Sequence, residues 1–141
     1  MARMVGNAVA FRVAIAMAVL HNERVASSVG MSHSEMQSLH LLQLRGPLTP
    51  GELAGLTGLS TGTMTAVIDR LEQLGFARRD RHPTDRRKVI VSVLQENVMA
   101  AMASYYQAEA RTLDAAIASL SREELETVAT FLKNVTTTGV P

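Results

Sequence analysis

Two helix-start signals stand close together in Leu48 to Leu74, LTPGELAGLTGLSTGTMTAVIDRLEQL, and they constrain this chain more than anything else in it. Thr49 can cap a helix, Pro50 suits its first position, and Glu52 completes a capping box with Thr49. The helix that follows is short. Leu53, Ala54 and Leu56 point one way, and Gly58 ends it. Ser60 then caps a second helix over Thr61 to Leu74, whose apolar stripe Met64, Val67, Ile68, Leu71 and Leu74 keeps the helical period. Gly75 follows as the residue after the cap, with Phe76 placed to fold back on the last turn. Two short helices joined by a glycine-containing turn form a helix-turn-helix.

A basic hairpin comes next. ARRDRHPTDRRKVIVSV, Ala77 to Val93, gathers Arg78, Arg79, Arg81, Arg86, Arg87 and Lys88 against only Asp80 and Asp85. Its local charge of +4 contrasts with +1 for the whole chain. Val89, Val91 and Val93 alternate as in a strand, and Pro83-Thr84-Asp85 is turn chemistry. A cationic hairpin directly after a helix-turn-helix makes it winged. Arginines on a hairpin alone often mark no more than a solvated surface. The preceding motif is what points to DNA.

The second helix of such a motif enters the major groove with its N-terminal residues toward base edges. Here those are Ser60, Thr61, Gly62, Thr63 and Thr65. Hydroxyls bond phosphates or bases, and a threonine methyl suits a thymine methyl. The hairpin then lies along the sugar–phosphate backbone and can place an arginine in a narrow minor groove. An aspartate among the cations, Asp85, can hold a flexible guanidinium in one orientation. Arg70 reads either as a phosphate contact or as a partner for a nearby acid. His82 reads as a phosphate contact, a pH reporter or a plain solvated histidine.

The flanks are helical. Ala8 to about Ser28 reads as a first helix rich in Ala, Val and Met, which suits close helix–helix packing. Its apolar run looks a little like a signal-peptide core, but Arg12 interrupts it and it is too short to span a bilayer. Ser34 to Leu44 carries Met36, Leu39, Leu42 and Leu44, with Ser32 or Ser34 available to start it, and Arg45-Gly46-Pro47 stops it. Gln95 to about Val135 is a long Ala-rich helix followed by one that opens with the box Ser121 to Glu124, and the TTTGVP tail is expected to fray. The 141 residues suit one domain with an assembly element. There is no Cys, which removes thiol chemistry, Cys-ligated zinc and disulfides and fits a cytoplasmic location. His21, His33 and His40 are scattered, so no metal or other cofactor is expected. GLTGLSTG lacks the preceding strand and the lysine of a phosphate loop, and no nucleophile–base pair converges, so catalysis is not expected.

Ser32 to about Leu94 resembles the MarR-type winged-helix transcriptional regulators. Asp69, Arg70, Leu71 and Glu72 match that family's DRLE segment, and Asp85 and Arg87 match its D-x-R wing signature. The resemblance implies a mainly α fold with a small β-wing (α+β). It divides into an N-terminal dimerisation helix (1–31), a winged helix-turn-helix lobe (32–94) and C-terminal dimerisation helices (95–141), within one continuous domain. It implies a homodimer that binds double-stranded DNA at a pseudo-palindrome, with no membrane partner, most often as a repressor. It also implies that Asp85 orients Arg87 for the minor groove. The full set of candidate DNA-contacting residues is Ser60, Thr61, Gly62, Thr63, Thr65 and Arg70 on the recognition helix. On the wing it is Arg78, Arg79, Arg81, His82, Asp85, Arg86, Arg87 and Lys88.

Two departures stand out. Many members carry Arg or Lys where this chain has Ala66, which shifts weight from direct base readout to the wing and to DNA shape. It also leaves room for a module that binds nucleic acid nonspecifically or serves protein interaction. The family's usual Leu-Thr before the post-wing helix is Val93-Leu94 here, leaving Ser92 or Asn97 as substitute caps. Many members respond to small anionic or phenolic effectors. Met36, His40 and Tyr105 or Tyr106 are available to line such a site, though packing explains each, and no effector site is assigned.

Overall fold

The computed structural model describes residues 2–137. Eight elements follow in order: α1 (Ala2–Ser28), α2 (His33–Arg45), α3 (Pro50–Thr57), α4 (Thr61–Gln73), β1 (Ala77–Arg81), β2 (Val89–Val93), α5 (Gln95–Ala118) and α6 (Arg122–Thr137). The chain is mainly helical with one two-stranded antiparallel sheet. It divides into two compact units after Met102, inside α5. The first helix begins at Ala2 rather than Ala8, and the tail beyond 137 lies outside the described residues.

Local chemistry starts the helices where the sequence signals it. Ser32, not Ser34, caps α2, and Glu35 accepts the Ser32 N–H in return at 2.8 Å. Thr49 and Glu52 form the same reciprocal box on α3, with Pro50 at its first position. Ser60 Oγ accepts the Thr63 N–H at 3.1 Å at the start of α4. In the second unit, Ser121 and Glu124 form the box that opens α6. The turn between α3 and α4 passes through Gly58 at φ 71°, a left-handed conformation that a side chain would strain. After α4, the Gly75 N–H bonds the Glu72 carbonyl and the Phe76 N–H bonds the Leu71 carbonyl, both at 2.9 Å. That pair closes the helix and seats Phe76 in the core.

The cap carboxylates titrate with stability. Glu52 and Glu124 both lie below their ordinary value of 4.5, chiefly because the charged form accepts the backbone N–H of Thr49 or Ser121. A carboxylate depressed in the fold contributes fully above its unfolded value and loses the contribution as pH falls through the folded one. The Tm advantage of the parent over a Glu52→Gln/Glu124→Gln variant should therefore be flat above the ordinary value of 4.5 and shrink as pH falls below it. A pH-independent difference would show that ionisation does not matter to either cap.

The core of the first unit is built from the apolar faces of α2, α3 and α4, closed by Val91, Val98 and Met102. Leu39, Leu53, Met64, Ile68 and Leu71 have no exposed surface. Each such side chain contributes about 1.5–3 kcal/mol. Val25 and Ala26 bring the end of α1 into the same core. The sheet registers Ala77 opposite Val93 and Arg81 opposite Val89. A further bridge ties Leu48 to Val91 through two backbone hydrogen bonds, of 2.7 and 3.2 Å. The wing is thereby pinned to the segment that leads into α3.

Ser38 is an exception in this core. Its side chain is fully buried and its hydroxyl has no hydrogen-bond partner among the described residues. An unmet buried hydroxyl costs more than the methyl that would replace it, and alanine favours helix. Ser38→Ala should stabilise the protein by about 1 kcal/mol in thermal or denaturant unfolding. A lower Tm would show that the hydroxyl is satisfied after all.

Candidate nucleic-acid interface

The N-terminal turns of α4 present Thr61, Gly62, Thr63, Thr65 and Ala66 to solvent, while Met64, Val67 and Ile68 hold the helix on the core. Ser60 is exposed at the cap. The whole candidate base-reading face thus lies on one side of one short helix.

The DRLE segment has a mechanical role in each residue. Leu71 is fully buried. Arg70 reaches the Gly30 carbonyl at 3.4 Å and the Gln73 amide oxygen at 3.5 Å, so α4 is tied to the turn between α1 and α2. Asp69 and Glu72 both hold Arg79 of β1. The Arg79 guanidinium lies 2.6 Å from Asp69 Oδ1 and also pairs with the Glu72 carboxylate. The Arg79 backbone N–H donates to Glu72 Oε1 at 2.8 Å. Burial works against the Arg79 charge, and the Asp69 hydrogen bond with the charges of Glu72 and Asp69 outweighs it, leaving its pKa raised. Arg79 is therefore no free wing cation. It is the rivet between recognition helix and wing, because two carboxylates one turn apart on α4 face it.

The remaining cations differ in their freedom. Arg78 pairs with Asp80 at 2.9 Å yet keeps most of its side chain exposed. Arg81, Arg86, Arg87 and Lys88 are exposed at the end of β1 and along the return from the tip. Asp85 Oδ1 accepts the backbone N–H of Arg87 at 3.1 Å, and the Asp85 carbonyl accepts the Lys88 N–H at 2.9 Å. Asp85 shapes the backbone of the turn here, where the resemblance implied a grip on the Arg87 guanidinium. His82 works beside it. Its Nδ1 accepts the N–H groups of Thr84 and Asp85 at 3.3 and 3.2 Å. His82, Lys88 and Val89 face Thr49, Pro50 and Glu52 across an open groove of about 490 Å³. The charge of Lys88 adds a small part to the low pKa of Glu52.

Sequence reasoning missed Asn97 as a brace. Its side-chain amide donates to the Gly75 carbonyl at 2.7 Å, joining the first turn of α5 to the turn after α4. It does not cap α5, and neither Ser92 nor Asn97 replaces the absent threonine, since α5 begins after Leu94. Among the described residues no group of three or more His, Asp or Glu could hold a metal, and no helix is long and apolar enough to cross a membrane.

Known proteins share this layout. A model of the MarR family matches residues 31–89. The uncharacterized HTH-type transcriptional regulator YcgE of Bacillus subtilis is 34% identical over 114 residues, covering 81% of this chain and 73% of that protein. A MepR mutant from a multidrug-resistant S. aureus clinical isolate has the same fold, with TM-score 0.75 at 14% identity over 94% of this chain and 96% of that one. NadR in complex with 4-hydroxyphenylacetate aligns with TM-score 0.64 at 18% identity, over 90% of this chain and 89% of that one.

Proposed function

The chain belongs to the MarR family of winged helix-turn-helix transcriptional regulators, and from that membership we propose that it acts as a homodimeric repressor on a pseudo-palindromic operator. It is a DNA-binding regulator, not an enzyme. In this reading α4 enters the major groove and the wing sets its cations along the backbone and into the minor groove. One observation carries it: the exposed first turns of α4 and the cationic wing are locked in a fixed relation by Arg79 between Asp69 and Glu72. A reader of two grooves needs that rigidity.

The apolar faces of α1 and α6 support the second copy. Val9, Val13, Met17 and Leu20 on α1, and Val128 and Leu132 on α6, are all substantially exposed. Patches of that kind mark interaction surfaces. A cavity of about 270 Å³ in the first unit, lined by Val19, His33, Met36, His40, Leu41 and Leu44 among others, supports control by a small-molecule effector. Tyr105 and Tyr106 stand in α5 outside that unit.

Anisotropy titration against duplex from upstream of its own gene and against a shuffled duplex, at several salt concentrations, tests the reading. Preference for the native duplex that persists as salt rises establishes a specific regulator. Equal, steeply salt-dependent binding favours the second reading, a nonspecific nucleic-acid module, for which Ala66 in place of a cation speaks. No binding at low salt overturns both.

A further inference from the structure

The exposed first turns of α4, Thr61 to Ala66, carry no forked side chain of the kind that reads guanine or adenine. Those bases are read by a bidentate fork, from Arg or Lys to guanine and from Asn or Gln to adenine. Between Thr61 and Ile68 there is no cation, amide or carboxylate side chain. Further along the helix, Asp69 pairs with Arg79, Arg70 reaches back to the Gly30 carbonyl at 3.4 Å, and Gln73 stands at the C-terminal end, about three turns from the first residues. The hydroxyls of Thr63 and Thr65 are also engaged within the helix and its cap. Thr65 Oγ1 donates to the Thr61 carbonyl at 3.0 Å, and Thr63 Oγ1 lies 2.8 Å from Ser60 Oγ in the cap. A threonine whose hydroxyl turns back to its own helix has its methyl left for an approaching surface. Ala66 adds another methyl, and Gly62 adds no bulk to hold a groove floor away.

We propose that α4 selects its operator by apolar contact with thymine C5-methyl groups, through the methyls of Thr63, Thr65 and Ala66. The proposal rests on α4 being the helix that enters the major groove. A thymine methyl projects into that groove, and replacing water between two methyls gains affinity without any hydrogen bond. A guanine or cytosine at the same step presents no methyl, so it forgoes the contact that a thymine makes there. The operator half-site should thus be marked by thymines at two or three steps under α4.

Chemical substitution of the DNA separates this from other readouts. Full-length protein would first be used to select tight duplexes from a randomised pool. The best duplex would then be remade with deoxyuridine for thymidine, one position at a time, which removes the methyl and keeps every hydrogen-bonding group. A second set would carry 7-deazaguanine, which removes the N7 acceptor. The expected result is a loss of about fourfold for each uracil at the contacted steps, with 7-deazaguanine costing nothing. Thr65→Ser keeps the hydroxyl and its bond to Thr61 but loses the methyl. It should weaken the thymine duplex by a similar factor and add nothing on the duplex whose matching thymine is already uracil. A fully uracil-substituted duplex bound as tightly as the parent would overturn the proposal while leaving specific DNA binding in place. So would a larger penalty from 7-deazaguanine. A pool that yields no enriched sequence would overturn the major-groove reading as well.

Discussion

Val128→Glu combined with Leu132→Glu is expected to turn the protein into a monomer and to weaken operator binding by about 10²–10⁴-fold, the advantage that two linked half-sites confer. The two positions are four apart on α6, so they share a face with each other and with Val135. That face is close to half exposed, with Leu132 at 50%. A symmetric pair meets itself across its axis, so two glutamates on one copy face two on the other. Unpaired charges in such a seam are strongly destabilising. The helix itself should survive, since the two like-charged pairs created four apart, Glu124 with position 128 and position 128 with position 132, cost only about 0.2–0.5 kcal/mol each. The first unit carries its own core and should keep its melting transition. Thr130→Glu is the control, because it lies on another side of α6 and should leave assembly intact. Light scattering coupled to size exclusion reads the mass directly. A double variant that stays dimeric at low micromolar concentration would remove α6 from the interface.

What is legible in the sequence divides along chain separation. The boxes Thr49 with Glu52 and Ser121 with Glu124 are readable, because two side chains three apart and one local backbone decide each, while the start of α2 reads as Ser32 or Ser34 and only the fold selects Ser32 with Glu35. The Gly75–Phe76 closure of α4 is readable for the same reason. Arg79 reads in sequence as a candidate groove contact, and the fold pairs its guanidinium with Asp69 and Glu72. Its neighbours Arg78 and Arg81 look identical in composition, and only the folded register of β1 against α4 reveals that Asp69 and Glu72 claim it. The DRLE match is legible as a pattern and not as a mechanism. Leu48 gives no strand signal because its bridge to Val91 is one residue wide and joins segments far apart in sequence. Asn97 reads as a helix cap, a local role, when its partner is the Gly75 carbonyl two elements earlier. The base-reading face shows the same limit from the other side. Its threonines are visible at once, but whether they offer hydroxyls or methyls depends on which hydroxyls the helix has already taken.

Arg87→Ala should weaken specific binding by about 1–3 kcal/mol and leave the fold untouched. The reason lies in what holds this residue. Its backbone N–H is engaged by Asp85, while its side chain is exposed and joins no ion pair among the described residues. Truncation therefore removes nothing the wing needs for its shape. Arg79→Ala is the contrast. It breaks the tie between α4 and β1, so it should lower the melting temperature and loosen the wing. A guanidinium lodged in a narrow minor groove is favoured by the concentrated negative potential of A·T tracts and by its weak hydration. Arg87→Lys should then recover only part of the affinity on such a tract, and recover nearly all of it where the partner is a single phosphate. The salt dependence sharpens the distinction. If Arg87 meets only a phosphate, its removal lowers the salt slope by about 1 and weakens all duplexes alike. If it sits in the groove, its removal weakens the A·T-flanked site most. Affinity for the native duplex that does not change in Arg87→Ala would sink the assignment of the wing tip to DNA.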